Sequence, residues 1–151
     1  MTKIRQKVYC YITCQDNLLI FSHPDFPAAG LQVPGGSVEP GESTEAAARR
    51  EALEETGLPD LRLVCCLGEQ ARDMADYNLD EIHQRTFYHL ECTQPPPEIW
   101  RHNEEDPSDG SPGPIVFELF WVKLDAVPSL ISEQDSLLPR LVELLHREDK
   151  S

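Results

Sequence analysis

The sequence predicts an α/β fold in which one mixed sheet packs against helices. Three observations predict it. Stretches rich in β-branched and aromatic residues stand on both sides of one strongly helical segment, and an amphipathic helix closes the chain; together they favour a mixed sandwich over an all-parallel sheet. With 151 residues, 40% of them apolar, the chain can bury one core but not two. Residues 1–151 are read as a single domain without internal repeat or linker.

"KVYCYITC" and "LLIF" flank the polar cluster "QDN", which predicts strands over 3–14 and 17–22 joined by a tight turn. "HPDFPAAG" is a loop, and "LQVP" reads as a short strand ending at the pair Gly35–Gly36. Residues 43–56 are the clearest helix: Ser43 is placed to cap its start, good helix formers follow, and Gly57 can take the left-handed backbone that ends it. "DLRLVCCLGEQAR" and "IHQRTFYHLEC" predict two longer strands, and "IVFELFWVKL" another. Between them, 93–114 reads as one long Pro/Gly/Asp-rich loop. Leu137, Leu141, Leu144 and Leu145 recur at helical spacing, and Pro139 is tolerated only in a first turn, so the last helix is expected to start at Asp135 or Ser136.

Charge excludes one class of partner. Thirteen Lys and Arg against 27 Asp and Glu leave a net charge of -14, which repels a nucleic-acid backbone. A small phosphate-bearing ligand remains compatible if a cation lies between it and the carboxylates. The five cysteines form no C-x-x-C pair, so neither a disulfide framework nor a zinc site is expected, and a reducing cytoplasm is the expected location. The first apolar run is too short and polar for a signal peptide, and no window approaches a membrane span.

The unusual feature is where the acids fall. On a helical wheel Glu51, Glu54 and Glu55 share an arc of roughly 100° in the last two turns before Gly57, where the helix dipole disfavours anions. Two such charges about 6 Å apart repel by about 0.7 kcal/mol in water and about 3 kcal/mol at an effective dielectric of 20. Either the face is fully solvated, or a hard divalent cation such as Mg²⁺ or Mn²⁺ turns repulsion into ligation. Gly35 and Gly36 allow close backbone approach beside this face. Ala47 and Ala48, one turn earlier, are expected to leave room over the carboxylates, although helix propensity alone would also explain them.

Gly36, Glu42 and the run Arg50-Glu51-Ala52-Leu53-Glu54-Glu55-Thr56-Gly57-Leu58 match the pattern G-x5-E-x7-R-E-U-x-E-E-x-G-U at every defined position, U being an aliphatic residue. The chain therefore resembles the Nudix (MutT-like) hydrolases. The resemblance implies an α/β/α sandwich with a mixed sheet, and Mg²⁺- or Mn²⁺-dependent hydrolysis of a pyrophosphate bond in a nucleoside diphosphate derivative. Nucleotide sugars, dinucleoside polyphosphates and modified nucleoside triphosphates are the candidate substrates; the acidic surface weighs against capped RNA. By the match, Glu51 and Glu55 look like the main metal-ligating carboxylates and Glu54 a further or water-mediated ligand. The Gly35 carbonyl resembles the family's backbone ligand, Arg50 its orienting arginine, and Glu42 the first glutamate of the box, a catalytic or supporting group. The general base among these carboxylates is left open. Arg49 has no place in the pattern and is expected to be solvated.

Outside the box, Glu104, Glu105 and Glu118 are candidates for an additional carboxylate, Trp100 and Tyr77 for stacking on a base, and Arg72, Arg85 and His83 for phosphate contact. His102 is taken as incidental. For each, packing or a solvated strand face is the simpler explanation. A Nudix-fold sensor that binds a nucleotide without cleaving it is the alternative function; such modules commonly lose box glutamates, and this chain keeps them. Proteins of the resembled family are often dimers, so a homodimer is compatible with the resemblance, and the sequence locates no interface.

Overall fold

The structure is a computed structural model that describes residues 2–94, 97–104 and 115–149. Its elements are β1 (Lys3–Cys14), β2 (Asn17–Ser22), β3 (Gly35–Ser37), α1 (Thr44–Thr56), β4 (Leu61–Asp73), β5 (Glu81–Cys92), β6 (Ile99–Glu104), β7 (Ile115–Lys123) and α2 (Leu138–Asp149). Among the described residues seven strands form one sheet in the order β4-β5-β1-β2-β7-β6, with β3 added on β1. β1 runs parallel to β5 from Lys3 to Thr13, while the other pairings are antiparallel. The sheet is mixed, as expected.

Strand alternation builds two cores from the same strands. Val8, Cys10 and Ile12 of β1 pack with Leu19 and Phe21 of β2 against Ala47, Ala48 and Ala52 of α1. Tyr11, Leu18, Ile20 and Phe87 point the other way, against Leu138 and Leu141 of α2. Central strands covered on both faces are apolar almost throughout, which is why "YCYITC" shows no clean alternation. The result is an α/β/α sandwich.

Four expectations need correction. The segment 93–114 is not one loop: β6 pairs with β7 from Ile99↔Phe120 to Glu104↔Ile115. Ile99 and Trp100 have the β preference for this, but the surrounding prolines and acids hid it. Pairing near the glycines also shifts. Gln32 makes only an isolated bridge to Phe21, Pro34 lacks an N–H for a ladder, and β3 forms on Gly35, Gly36 and Ser37 opposite Tyr9, Val8 and Lys7. The last helix begins at Leu138, not at Asp135 or Ser136, because left-handed backbone at Ser132 and Glu133 and tight turns up to Leu138 occupy the preceding residues. Finally, Ala47 and Ala48 are fully buried against the sheet; they let α1 sit close to the strands instead of opening room over the carboxylates.

Candidate active site

α1 is capped as expected. Ser43 Oγ accepts from the Ala46 N–H at 3.1 Å, and Gly57 at φ 74° closes the other end through its N–H to the Leu53 carbonyl. No basic residue stands in the last turn. The Trp100 indole N–H supplies one missing donor, to the Thr56 carbonyl at 3.0 Å.

β3 lies along the acidic face of this helix, and Arg50 ties the two together. Its Nε and Nη2 grip the Glu42 carboxylate at 2.8 and 2.9 Å, a two-pronged pair. Nη2 also reaches the Ser37 carbonyl at 3.0 Å, while Nη1 donates to Glu51 at 2.8 Å and Glu54 at 3.3 Å. The guanidinium holds the Glu42 carboxyl down to about 2, with help from the Glu39 N–H. One arginine thus fixes the loop before the helix, the end of β3 and two helix carboxylates.

Glu51 is fully buried and Glu55 nearly so, at 0% and 4% exposure. Burial raises the pKa of Glu51 against the opposing pulls of Arg50 and of a hydrogen bond with the Glu55 carboxyl. Gly36 gives the Glu51 carboxylate its place: a Cβ there would meet the carboxylate carbon at 2.5 Å and displace it. Gly35 donates its N–H to the Glu55 carboxylate at 3.3 Å. Among the described residues no three acidic, histidine or cysteine side chains converge as a ready ion cage: Glu51 and Glu54 lean on Arg50, and Glu55 on the Gly35 N–H and on Glu51. Yet Glu51 Oε2 is buried and no N–H or hydroxyl donor reaches it, its nearby group being the Glu55 carboxyl. A hard, anionic oxygen that no donor reaches, beside a glycine cradle, fits a divalent cation.

The structure brings Glu42, Arg50, Glu51, Glu54, Glu55 and Gly35 together at the β3–α1 seam. Other candidates fall elsewhere. Glu118 alternates with Phe117 and Leu119 and so lies on the sheet face away from α1, 3.6 Å from Arg101. Trp100 packs on the end of α1, and the His102 ring sits against Gly57. Glu104 contributes backbone pairing to Ile115; Glu105 lies outside the described residues. Arg49 is exposed. Arg72 pairs with Asp76 and Glu133 and lies over the Tyr77 ring, His83 binds Glu81, and Arg85 is buried on backbone carbonyls. Sequence reasoning missed the Ser37 carbonyl that receives Arg50, and it missed Tyr9, which pairs with Gly35. Neither carries a local signal, since both act through strand register.

A family model described as NUDIX domain matches residues 3–141. The chain belongs to the NUDIX family. Its fold is also shared by solved structures: a NUDIX hydrolase from Nitrosomonas europaea, 24% identical over 82% of this chain and 74% of that one at a TM-score of 0.60; a MutT protein from Methanosarcina mazei Go1, 18% identical over 99% and 98% at 0.66; and a MutT NUDIX hydrolase from Burkholderia pseudomallei, 22% identical over 91% and 98% at 0.58. A comparison with curated proteins finds no significant match. Family membership makes the chain a Nudix hydrolase, one of the pyrophosphohydrolases that act on nucleoside diphosphate derivatives and generally use divalent metal ions. Among the described residues no helix is long and apolar enough to cross a membrane.

Proposed function

We propose that this Nudix enzyme cleaves a pyrophosphate bond in a nucleoside diphosphate-linked small molecule, with Mg²⁺ or Mn²⁺ held at the β3–α1 seam. The buried Oε2 of Glu51, beside Gly36 and reached by no N–H or hydroxyl donor, carries this reading. Glu51 and Glu55 would be the principal ligands, with Glu54 and the Gly35 carbonyl completing the protein's share. When bound, the cation supplies charge neutralisation to the diphosphate and a lowered pKa to an attacking water. The chain's own residues set the geometry. Arg50 restrains Glu51 and Glu54 through a guanidinium anchored on Glu42 and Ser37, so both carboxylates keep their orientation while exchanging a partner. Gly36 lets β3 approach Glu51 closely enough to exclude bulk water from that oxygen. Five unbridged cysteines support placing the enzyme in a reducing cytoplasm.

The test is a panel of nucleoside diphosphate and triphosphate derivatives, incubated with Mg²⁺ or Mn²⁺ and read by product mass. Cleavage between phosphorus atoms that requires the metal and is lost in Glu51→Gln and Glu55→Gln supports the reading. Full turnover by those variants contradicts it, and metal-dependent nucleotide binding without cleavage by any panel member shifts the function to a sensor.

A further inference from the structure

A second buried polar network lies on the α2 side of the sheet and runs back to Gly35. At its centre is Gln134, 4% exposed although it stands in the loop before α2. Its side-chain Oε1 accepts the Val33 N–H at 2.9 Å, and Val33 is buried as well. Its backbone carbonyl accepts the hydroxyl of the fully buried Tyr11 at 2.6 Å, and that hydroxyl in turn accepts the Leu137 N–H at 3.2 Å. The Ile131 N–H adds a bond to the Leu31 carbonyl at 3.0 Å. Two loops distant in sequence are thereby held together. Pro34 has no N–H, so Val33 supplies the last main-chain donor before β3, and Gln134 receives it.

Arg85 bears on both ends of this path. It is the largest fully buried side chain among the described residues. Nη1 donates to the Ser132 carbonyl at 2.7 Å and Nη2 to the Glu133 carbonyl at 2.8 Å, which fixes the two residues immediately before Gln134. Both are non-glycine residues in left-handed backbone, at φ 56° and 57°, a conformation that surrounding structure must enforce. On its other side the guanidinium carbon lies 5.0 Å from the Tyr9 ring centroid. Tyr9 pairs with Gly35 so closely that a Cβ on Gly35 would meet Tyr9 Cδ1 at 2.6 Å. Burying a charge against backbone carbonyls is costly, and its product is a loop held with Gln134 turned inward. Both routes end at Gly35, whose N–H holds the Glu55 carboxylate at 3.3 Å.

We propose that Gln134 is a positioning residue for the seam: by accepting the Val33 N–H it fixes the backbone entering β3, and with it the Gly35 peptide that meets Glu55 and the ion. The inference rests on the proposed metal-dependent hydrolysis and names the residue through which the α2 side of the sheet sets that site's geometry. Without the acceptor, the buried Val33 N–H is left unsatisfied and the backbone shifts to repair it. Outer groups that orient metal ligands in this way are worth about 10- to 100-fold in metal affinity.

The experiment reads the whole protein in two ways: calorimetric titration of Mn²⁺, and amide exchange at Val33 and Gly35 in metal-free protein. Gln134→Met keeps the length of the side chain and removes the acceptor. It is expected to weaken Mn²⁺ binding at least about tenfold and to accelerate exchange at Val33 and Gly35, while the fully buried Val8 and Phe87 stay protected. Gln134→Glu returns an oxygen to the same place and is expected to bring Mn²⁺ affinity to within about threefold of wild type. Leu141→Ala loosens the same core but removes no hydrogen bond of this path, so its Mn²⁺ affinity is expected to stay within about twofold. Unchanged Mn²⁺ affinity in Gln134→Met, a loss that Gln134→Glu does not restore, or an equal loss in Leu141→Ala overturns the proposal. If Gln134→Met does not fold, Arg85→Lys takes its place: selective acceleration at Val33 and Gly35 supports the path, and unchanged rates overturn it. Amide exchange needs neither metal nor substrate. Should the wild type bind no Mn²⁺, the hydrolytic reading fails by itself, while exchange at Gly35 still decides whether Gln134 holds β3.

Discussion

α1 and α2 pack on opposite faces of one sheet and are nearly equal in length, yet they obey different rules. α2 follows the rules of stability. It points Leu138 and Leu141 into the core, packs Leu144 and Leu145 beside them, and carries His146 and Arg147 in its last turn, where the dipole favours cations. α1 leaves Leu53 50% exposed while burying Glu51 and Glu55, and has no base in its last turn. A helix built for packing would exchange those assignments. The contrast teaches that α1 gives up stability for a carboxylate cluster, as expected where a site, and not the core, dictates residue choice.

The sharpest way to break the contrast is Glu51→Gln. Removing a buried charge while keeping the shape should lower kcat/KM by on the order of 10³-fold and, in metal-free protein, raise the urea midpoint. A variant that loses stability together with activity would place Glu51 among ordinary structural acids. The counterpart on the other helix is Leu141→Ala. It should cost about 3 kcal/mol of unfolding free energy while specific activity per folded molecule, corrected from the same denaturation curve, stays unchanged.

Arg50→Lys tests the bridge between loop, β3 and helix. A point charge cannot span Glu42, Ser37 and Glu51 as the planar guanidinium does, so kcat/KM should fall about 10- to 100-fold. Little change would show that the carboxylates orient themselves.

The smallest effect is one of pH, and it arises within the sheet. His89 is 3% exposed, its Nε2 is 2.8 Å from Thr13 Oγ1, and burial holds its pKa below the ordinary value despite the nearby Glu91, while Arg62 adds to the depression. His83 shifts in the same direction for the same reason. Because the unfolded chain binds these protons more readily, stability is fully present above about pH 6.5 and declines as pH falls through that value, by at most about 1.4 kcal/mol per pH unit for each histidine. Urea midpoints at pH 7.5 and 5.5 should show the decline, and His89→Gln should reduce it.

Much of this was legible in sequence because it is local. Ser43, Gly57 and the spacing of Glu51, Glu54 and Glu55 are read within one helix, and the β1, β2, β4, β5 and β7 segments declare themselves by composition. What stayed hidden depends on partners distant in sequence. Ala47 and Ala48 looked as if they made room over the acids, whereas the wheel alone could not say which side met the sheet. Arg85 finds its carbonyls at Ser132 and Glu133, and nothing in "HQRTF" announces them. β6 was masked because flanking prolines and acids outweighed the short β signal of Ile99 and Trp100.

The central claim, that α1 buries acids in order to hold a divalent ion, is tested most directly by calorimetric titration of Mn²⁺ into the wild-type protein and Glu51→Gln at neutral pH. The account predicts saturable binding to the wild type and at least about tenfold weaker binding to the variant. Equal affinity in the two proteins, or no binding to the wild type with or without nucleotide, would contradict it.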